Sequence, residues 1–194
     1  DPVDVTGEES FVVCRGVAKE AGEALSSPFT GAEGLGFEFE ITERQPFGIG
    51  IPWSQTHLDD GVATRSFTLD GPGGSLDVSP SARRFTLETE STLITVGARE
   101  DPPERIRQFI DVRDEIGAVP GWIRAIPGLG ARRYAERRID PGSEYLVSGT
   151  TERRQNVIAL TGDLVITDRN PREFATARLR SAVFPIVIAV VFVL

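Results

Sequence analysis

Thirteen consecutive residues without a polar side chain, AVFPIVIAVVFVL at positions 182–194, constrain this chain more than any other feature. A strand buried in a protein core is one interpretation, since valine and isoleucine favour strands. A membrane helix is the other. As a helix the stretch would rise about 20 Å, and about 20 apolar residues are needed to cross a bilayer. The residues that precede it favour the helix.

A helix start stands just ahead of this apolar segment. Asn170 can cap the helix, Pro171 suits its first turn, and Glu173 can reach back to the cap. Such a helix would kink near Pro185, which has no amide hydrogen to donate. We therefore predict a juxtamembrane and transmembrane helix over residues 170–194. The side chains expected in lipid are Phe184, Pro185, Ile186, Val187, Ile188, Val190, Val191 and Phe192.

Three arginines, Arg172, Arg178 and Arg180, lie shortly before the apolar run. There they would contact the membrane surface, where anionic lipid attracts each arginine by about 1 kcal/mol. The tendency of basic residues to stay inside the cell places the folded part on the cytoplasmic side. These features predict a protein of the cell membrane, with one or several spans and with membrane lipid as a partner.

The charged residues are biased toward acid and toward arginine. The sequence has 29 acidic and 21 basic residues, a net charge of -8, and a single lysine, Lys19. Acidic, lysine-poor surfaces remain hydrated in strong salt, which also screens their self-repulsion. We therefore expect a halophilic archaeal source; a GC-rich genome that favours arginine codons is the alternative. The negative charge argues against a nucleic-acid partner, because phosphate binding requires a basic face.

The region before the apolar segment has the pattern of short strands. Apolar and polar residues alternate at 37–41, which predicts a half-buried strand, and GPGG at 71–74 predicts a hairpin turn. Residues 102–118 instead carry apolar residues at helical spacing. The fold class predicted is mainly β (α+β): a small OB-like β-barrel domain over residues 11–169, with one α-helix inserted at about 102–118. A C-terminal transmembrane helix follows the barrel.

Three local expectations complete this fold prediction. Residues 1–10 are acidic and rich in turn-forming residues, which is typical of a linker. Gly16 interrupts a predicted strand at 11–18, which indicates a bulge or a close approach of another backbone. The polar residues 57–61 predict a turn.

An ordered series of short motifs runs through the whole chain. The motifs are CRGV at 14–17, LSSPFTG at 25–31, the strand at 35–43, Trp53, FTLD at 67–70, GSLDVSP at 74–80, YAE at 134–136, Gly142, YLVSG at 145–149 and DRNP at 168–171. In this order and spacing the chain resembles the GIDE or BAM ("beside a membrane") domain family, the non-RING part of mitochondrial membrane-anchored E3 ubiquitin and SUMO ligases. The resemblance implies a membrane-bound domain of the E3 ligase family.

The RING module of those ligases has no counterpart here. A RING binds two zinc ions through about eight cysteine and histidine ligands. This sequence has one cysteine and one histidine, Cys14 and His57. We predict a family member without ligase chemistry of its own.

The residues offer little else for catalysis or metal binding. Cys14 lies in a β-branched run and is more typical of a buried side chain than of a nucleophile, and His57 has no nucleophile motif beside it. Asp70 and Asp77 flank the 71–74 turn and could share a cation, although capping the turn is the simpler role. We predict no catalytic residue, cofactor or metal.

Three arginine doublets, at 132–133, 137–138 and 153–154, stand out in an acidic chain. They are either solvated strand edges that prevent edge-to-edge pairing or part of a strip that contacts a partner. Arginine and tryptophan are enriched at interfaces. The candidate interaction surface comprises Arg133, Glu136, Arg137, Trp53 and Trp122; Glu136 is expected to pair with a neighbouring arginine.

The function predicted is a membrane-anchored, non-catalytic scaffold or adaptor domain that mediates protein–protein interaction at the membrane. Its partner would be another protein or further copies of this chain. Two alternatives stay open. One is an accessory domain of an E3-ligase-like protein whose catalytic module lies outside this chain, and the other is a barrel that binds lipid or a small ligand at the membrane surface.

Overall fold

The computed structural model describes residues 11–47, 51–81, 85–89, 91–154 and 157–168. Most of these residues are in strands, so the prediction of a mainly β fold is confirmed. In chain order the elements are β1 (Phe11–Glu20), β2 (Leu25–Ser26), β3 (Glu33–Gly34), β4 (Gly36–Phe47), β5 (Ile51–Thr64), β6 (Phe67–Gly71), β7 (Gly74–Val78), β8 (Phe85–Glu88), β9 (Ser91–Val96), α1 (Glu104–Asp111), α2 (Gly121–Arg124), β10 (Arg132–Ile139), β11 (Glu144–Arg154) and β12 (Val157–Thr167).

Five strands close into a barrel. The order around it is β1, β6, β7, β12, β11 and back to β1; β7 and β12 run parallel and the other neighbours are antiparallel. A sixth strand, β8, extends the sheet beside β12. Closure leaves these five strands without a free edge, which removes a common route to aggregation.

Alternation along each barrel strand fills the interior with apolar side chains. Phe67, Leu69, Val147, Leu160 and Ile166 are among those less than 3% exposed. Burial of an aliphatic or aromatic side chain contributes about 1.5–3 kcal/mol, so this core is the main source of the barrel's stability.

Gly16 confirms the predicted close approach. A Cβ atom built on Gly16 would lie 2.5 Å from the backbone oxygen of Asp70 on the neighbouring strand. Only glycine lets β1 and β6 come together at this point.

A second, four-stranded sheet stands on one end of the barrel. Its order is β5, β4, β10, β9, all antiparallel. The β4–β5 hairpin is inserted between the first two barrel strands, whereas β9 and β10 come from the long connection between β7 and β11. The amide of Leu35 donates to the carbonyl of Ile139 at 2.8 Å, and both side chains belong to the barrel core. The second sheet is therefore fixed to the barrel at its base.

The second sheet has its own core, against α1 and the loop that contains Phe29. Phe29 makes edge-to-face contacts with Phe39, Phe109 and Tyr134, with ring centroids 5.3–5.6 Å apart. Such aromatic pairs contribute about 0.5–1.5 kcal/mol each beyond the area they bury. These four rings connect the loop, the sheet and the helix.

The helical region is shorter than its sequence pattern. The helix α1 spans Glu104–Asp111 inside the predicted 102–118, and a four-residue helix, α2, follows at Gly121–Arg124. Ile106 and Ile116 are both buried in the second core, although Ile116 lies beyond the end of α1. The apolar spacing therefore continues into a turn that packs on the same side.

The predicted turn at residues 57–61 is wrong, because these residues lie in the middle of β5. His57 pairs with Thr42, and Asp60 pairs with Glu40. β5 is an edge strand with one face in water, so polar side chains are compatible with it. A bulge near Ile41 shifts the register there.

Within the ranges described above, no helix is long and apolar enough to cross a bilayer. The predicted linker at 1–10 and the predicted membrane segment at 170–194 lie outside the described residues. Arg172, Arg178 and Arg180 and the eight predicted lipid-facing residues belong to that segment.

Candidate interaction surface

Three of the five predicted interaction residues share one exposed side of the second sheet. We call this side the outer face; the opposite side packs on α1 and the second core. Arg133 and Arg137 lie on β10, and Trp53 lies at the start of β5. Their charged and apolar neighbours on the outer face are Glu38, Glu40 and Arg44 on β4, His57 and Asp60 on β5, and Leu93 on β9. The sequence placed these groups up to about a hundred residues apart, and strand pairing brings them together.

The centre of the outer face is an arrangement of opposite charges. Arg137 donates to Glu38 at 3.4 Å, and His57 lies 2.8 Å from Asp60 and 3.9 Å from Glu40. Burial raises the pKa of Glu38 above its ordinary value, and the nearby Arg137 offsets this only in part. A carboxylate that remains partly desolvated beside an arginine can gain from a further hydrogen-bond donor.

Arg133 is the exposed cation of this face. Its side chain lies next to Thr42 across the strand pair, and among the residues that the structure describes it makes no ion pair. An exposed guanidinium presents five donors in a planar fork, which suits a carboxylate of another molecule.

One end of the outer face is aromatic. The guanidinium carbon of Arg44 lies 4.2 Å from the ring centroid of Trp53, a cation–π contact, and Trp53 remains 43% exposed. The Nε atom of Arg44 is buried, and no hydrogen-bond partner for it occurs in the described part of the chain. The stack fixes the tryptophan ring in place, and a fixed, half-exposed ring loses little entropy when a partner covers it.

Glu136 is not on this surface, which corrects the prediction. Its side chain is 1% exposed and points to the opposite side of β10. The carboxylate accepts hydrogen bonds from the Phe29 amide at 3.0 Å and from the Thr30 hydroxyl at 2.8 Å, while Arg138 lies 4.0 Å away. Glu136 therefore fixes the Phe29 loop to the sheet, and the arginine is a minor contact. Strand alternation explains the error, since residue 136 lies on the side opposite its neighbours 135 and 137.

Trp122 lies on α2, outside the four strands, and is 61% exposed. Its neighbour Ile123 is buried and anchors α2. Trp122 therefore lies on a different element from the residues of the outer face, although Trp53 and Trp122 are both exposed to solvent.

A cavity of about 290 Å³ lies between the 97–102 loop, α1 and the start of β10. Its walls include the side chains of Arg99, Arg107, Arg124, Arg132, Asp101 and Asp111. Arg132 is already bound to the buried carboxylate of Glu43 at 2.9 Å, and Arg107 pairs with Glu104. Two of the four arginines are thus paired with the protein's own acids, and the acids Asp101 and Asp111 share the cavity, so the lining does not indicate the charge of a ligand.

The candidates for chemistry are kept apart by the fold. Cys14 lies on barrel strand β1, whereas His57 lies on β5 of the second sheet. Burial raises the pKa of the Cys14 thiol, which keeps it in the unreactive protonated form. Asp70 pairs with Lys19 and accepts a hydrogen bond from Ser75, and these contacts lower the pKa of its carboxyl. Among the described residues no group of three histidine, cysteine or acidic side chains could hold a metal ion.

The outer face therefore offers recognition by charge and by an aromatic ring, supported by a rigid sheet. Its groups are held by neighbouring strands and by ion pairs, so a partner would meet them preformed. No protein-family model, no curated protein and no solved structure matches this chain.

Proposed function

We propose that this protein is a membrane-anchored, non-catalytic adaptor whose outer face binds a protein partner at the membrane. The apolar segment at 182–194 supports the anchor. The observation that carries the adaptor function is the convergence of Arg133, Arg137 and Trp53 on one exposed sheet face. A domain held on a bilayer meets its partners at a high effective concentration, so a modest interface is sufficient.

The barrel topology supports the proposed kinship. Its first strand pairs with the second and the fourth, and its third strand runs parallel to the fifth. This order is similar to that of OB-type barrels, which bind other molecules through surfaces that their loops and strands expose. We propose an OB-like barrel of the GIDE or BAM type, with the second sheet built from two insertions.

The composition of the outer face indicates the kind of partner. Glu38 is paired with Arg137, whereas Arg133 makes no ion pair among the described residues, so Arg133 is left to meet a carboxylate. Trp53 adds an apolar anchor at one end. The partner would present an acidic group to Arg133 and an apolar pocket to Trp53, which lies two strands away across the sheet. Such anchors carry most of the affinity of an interface.

The experiment is crosslinking of the full chain in its native membranes, followed by identification of co-purified proteins. Arg133→Glu should reduce recovery of a specific partner about tenfold, which corresponds to about 1.4 kcal/mol. Arg107→Glu on α1 is the matched control, because Arg107 is also an exposed arginine but lies on another element.

Two results would contradict the proposal. Arg133→Glu could recover the same proteins in the same amounts as the unmodified chain, which would remove the outer face from consideration. Alternatively, the chain could be washed from membranes by alkaline carbonate, which would remove the anchor. The first failure is measured among the co-purified proteins and the second in the carbonate wash, so the two can be distinguished.

A further inference from the structure

The outward side of β1 carries two strongly exposed apolar side chains. Phe11 is 70% exposed and Val13 is 55% exposed. Val12, which lies between them, and Cys14, which follows, pack against the barrel core. Phe11 and Val13 therefore point to the outside. Exposed aromatic and aliphatic side chains that adjoin one another usually mark a contact site.

The apolar area continues across the two neighbouring strands. Val13 lies opposite Ser148 on β11, and Ser148 lies opposite Val165 on β12, so all three face the same way. Leu146 is the next outward residue on β11 and is half-buried. We call this area the barrel wall: Phe11, Val13, Leu146, Ser148 and Val165.

None of the five residues that define the barrel wall is charged, in a protein whose net charge is -8. The nearest charged group on β1 is Arg15, and Glu144 neutralises it at 2.8 Å. A surface of this kind can approach anionic lipid without the electrostatic repulsion that the acidic remainder of the molecule would experience.

The wall also adjoins the point at which the chain leaves the barrel toward the apolar segment. β12 ends at Thr167, directly opposite Leu146. The apolar segment begins at residue 182, fifteen positions after Thr167. A connection of this length leaves the wall within reach of any bilayer that the segment enters.

We infer that the barrel wall lies on the membrane surface, with Phe11 and Val13 inserted among the lipid headgroups. This inference rests on the proposed membrane anchor and adds an orientation to it. Burial of the two side chains orients the barrel, since amphipathic surfaces insert about 5–10 Å into the interface. The second sheet, which contributes none of the wall residues, is left free for a protein partner.

The test uses the full chain reconstituted into phosphatidylcholine–phosphatidylglycerol vesicles that contain a lipid with a nitroxide on its headgroup. Cys14→Ser removes the native thiol, and an environment-sensitive fluorophore is attached through Val13→Cys. The matched control is Leu93→Cys, because Leu93 is 47% exposed but lies on the outer face of the second sheet. Flotation of the vesicles first establishes that each labelled chain is anchored.

The expected result is that the nitroxide lipid quenches roughly half of the fluorescence at position 13 and little at position 93. A floating chain without quenching at position 13, or with equal quenching at both positions, would overturn the inference and leave the anchor intact. A fluorophore at position 13 that is shielded from water but not quenched would indicate a protein contact there and would also overturn it. A chain that does not float would refute the anchor itself, and the inference with it.

Discussion

Replacing Glu136 with alanine should strongly destabilise the fold, because its carboxylate is buried and holds a loop of the second core. The buried carboxylate accepts hydrogen bonds from the amide of Phe29 at 3.0 Å and from the hydroxyl of Thr30 at 2.8 Å. The amide of Thr30 approaches it as well, at 3.4 Å. These bonds hold the loop that places Phe29 in the second core.

The expected loss of stability follows from the hydrogen-bond donors of Phe29 and Thr30 that Glu136→Ala leaves without an acceptor. Hydrogen bonds to a charged group contribute about 1.5–3 kcal/mol each, and an amide left buried without an acceptor costs about 1–3 kcal/mol. We expect Glu136→Ala to lower the free energy of unfolding by about 3–5 kcal/mol. Glu136→Gln should cost only about 1–2 kcal/mol, because its amide oxygen still accepts from Phe29 and its amide nitrogen can donate to Thr30.

The assay is denaturant unfolding followed by tryptophan fluorescence, in a double-mutant cycle with Thr30→Ala. The cycle should give a coupling of about 1–2 kcal/mol between Glu136 and Thr30, since each of the two substitutions removes the same hydrogen bond. Glu40→Ala is the control: Glu40 is a 45% exposed carboxylate on the outer face, and its loss should change stability by less than about 1 kcal/mol. A value for Glu136→Ala close to that of the control, or additive effects in the cycle, would refute the assigned role.

Three further predictions concern packing and titration. Gly16→Ala should cost about 1–3 kcal/mol in an unfolding experiment because its Cβ would strike the Asp70 backbone, whereas Gly117→Ala, which meets nothing within 4 Å, should not destabilise. Phe29→Ala should lower the free energy of unfolding by about 3–5 kcal/mol, as expected for a buried aromatic ring. Burial raises the pKa of Glu38 above its ordinary 4.5, so the folded state favours the protonated carboxyl. The stability that this preference contributes is fully present below pH 4.5 and is lost as the pH rises through the folded-state pKa. Glu38→Gln should therefore be at least as stable as the unmodified protein at neutral pH and lose that advantage in acid, which a pH series of denaturation midpoints measures.

The local elements could be predicted from sequence because their causes are local. Alternation at 37–41 lies within β4, and the turn at 71–74 joins β6 to β7. The close approach at Gly16 was also predictable, since glycine within a β-branched strand has few other reasons to be there. The second sheet was not predictable in this way. Alternation indicates a strand but not its partner, and β10 pairs with a strand about ninety residues earlier.

In the candidate site, too, local features could be predicted from sequence, whereas contacts between distant strands could not. Arg133 and Arg137 are four residues apart on one strand, so their common face follows from alternation alone. Their placement on the same face as Trp53 and Glu38 depends on pairings between strands distant in sequence. Glu136 was misplaced because grouping it with adjacent arginines ignored that alternation. Its burial has a signal in the sequence: Tyr134, two residues before it, is a large aromatic on the same side.

The strand β10 explains how one domain can offer two separate surfaces. Tyr134 packs in the second core, and Ile139, five residues later, packs in the barrel core. One continuous strand therefore links the two cores, and the second sheet cannot tilt on the barrel without breaking the burial of Ile139 or its bond to Leu35. A rigid connection of this kind transmits the orientation of the barrel to the outer face. If lipid orients the barrel wall, the same contact fixes the direction in which Arg133 and Trp53 are presented, so variants of the wall should weaken partner capture although they touch no partner.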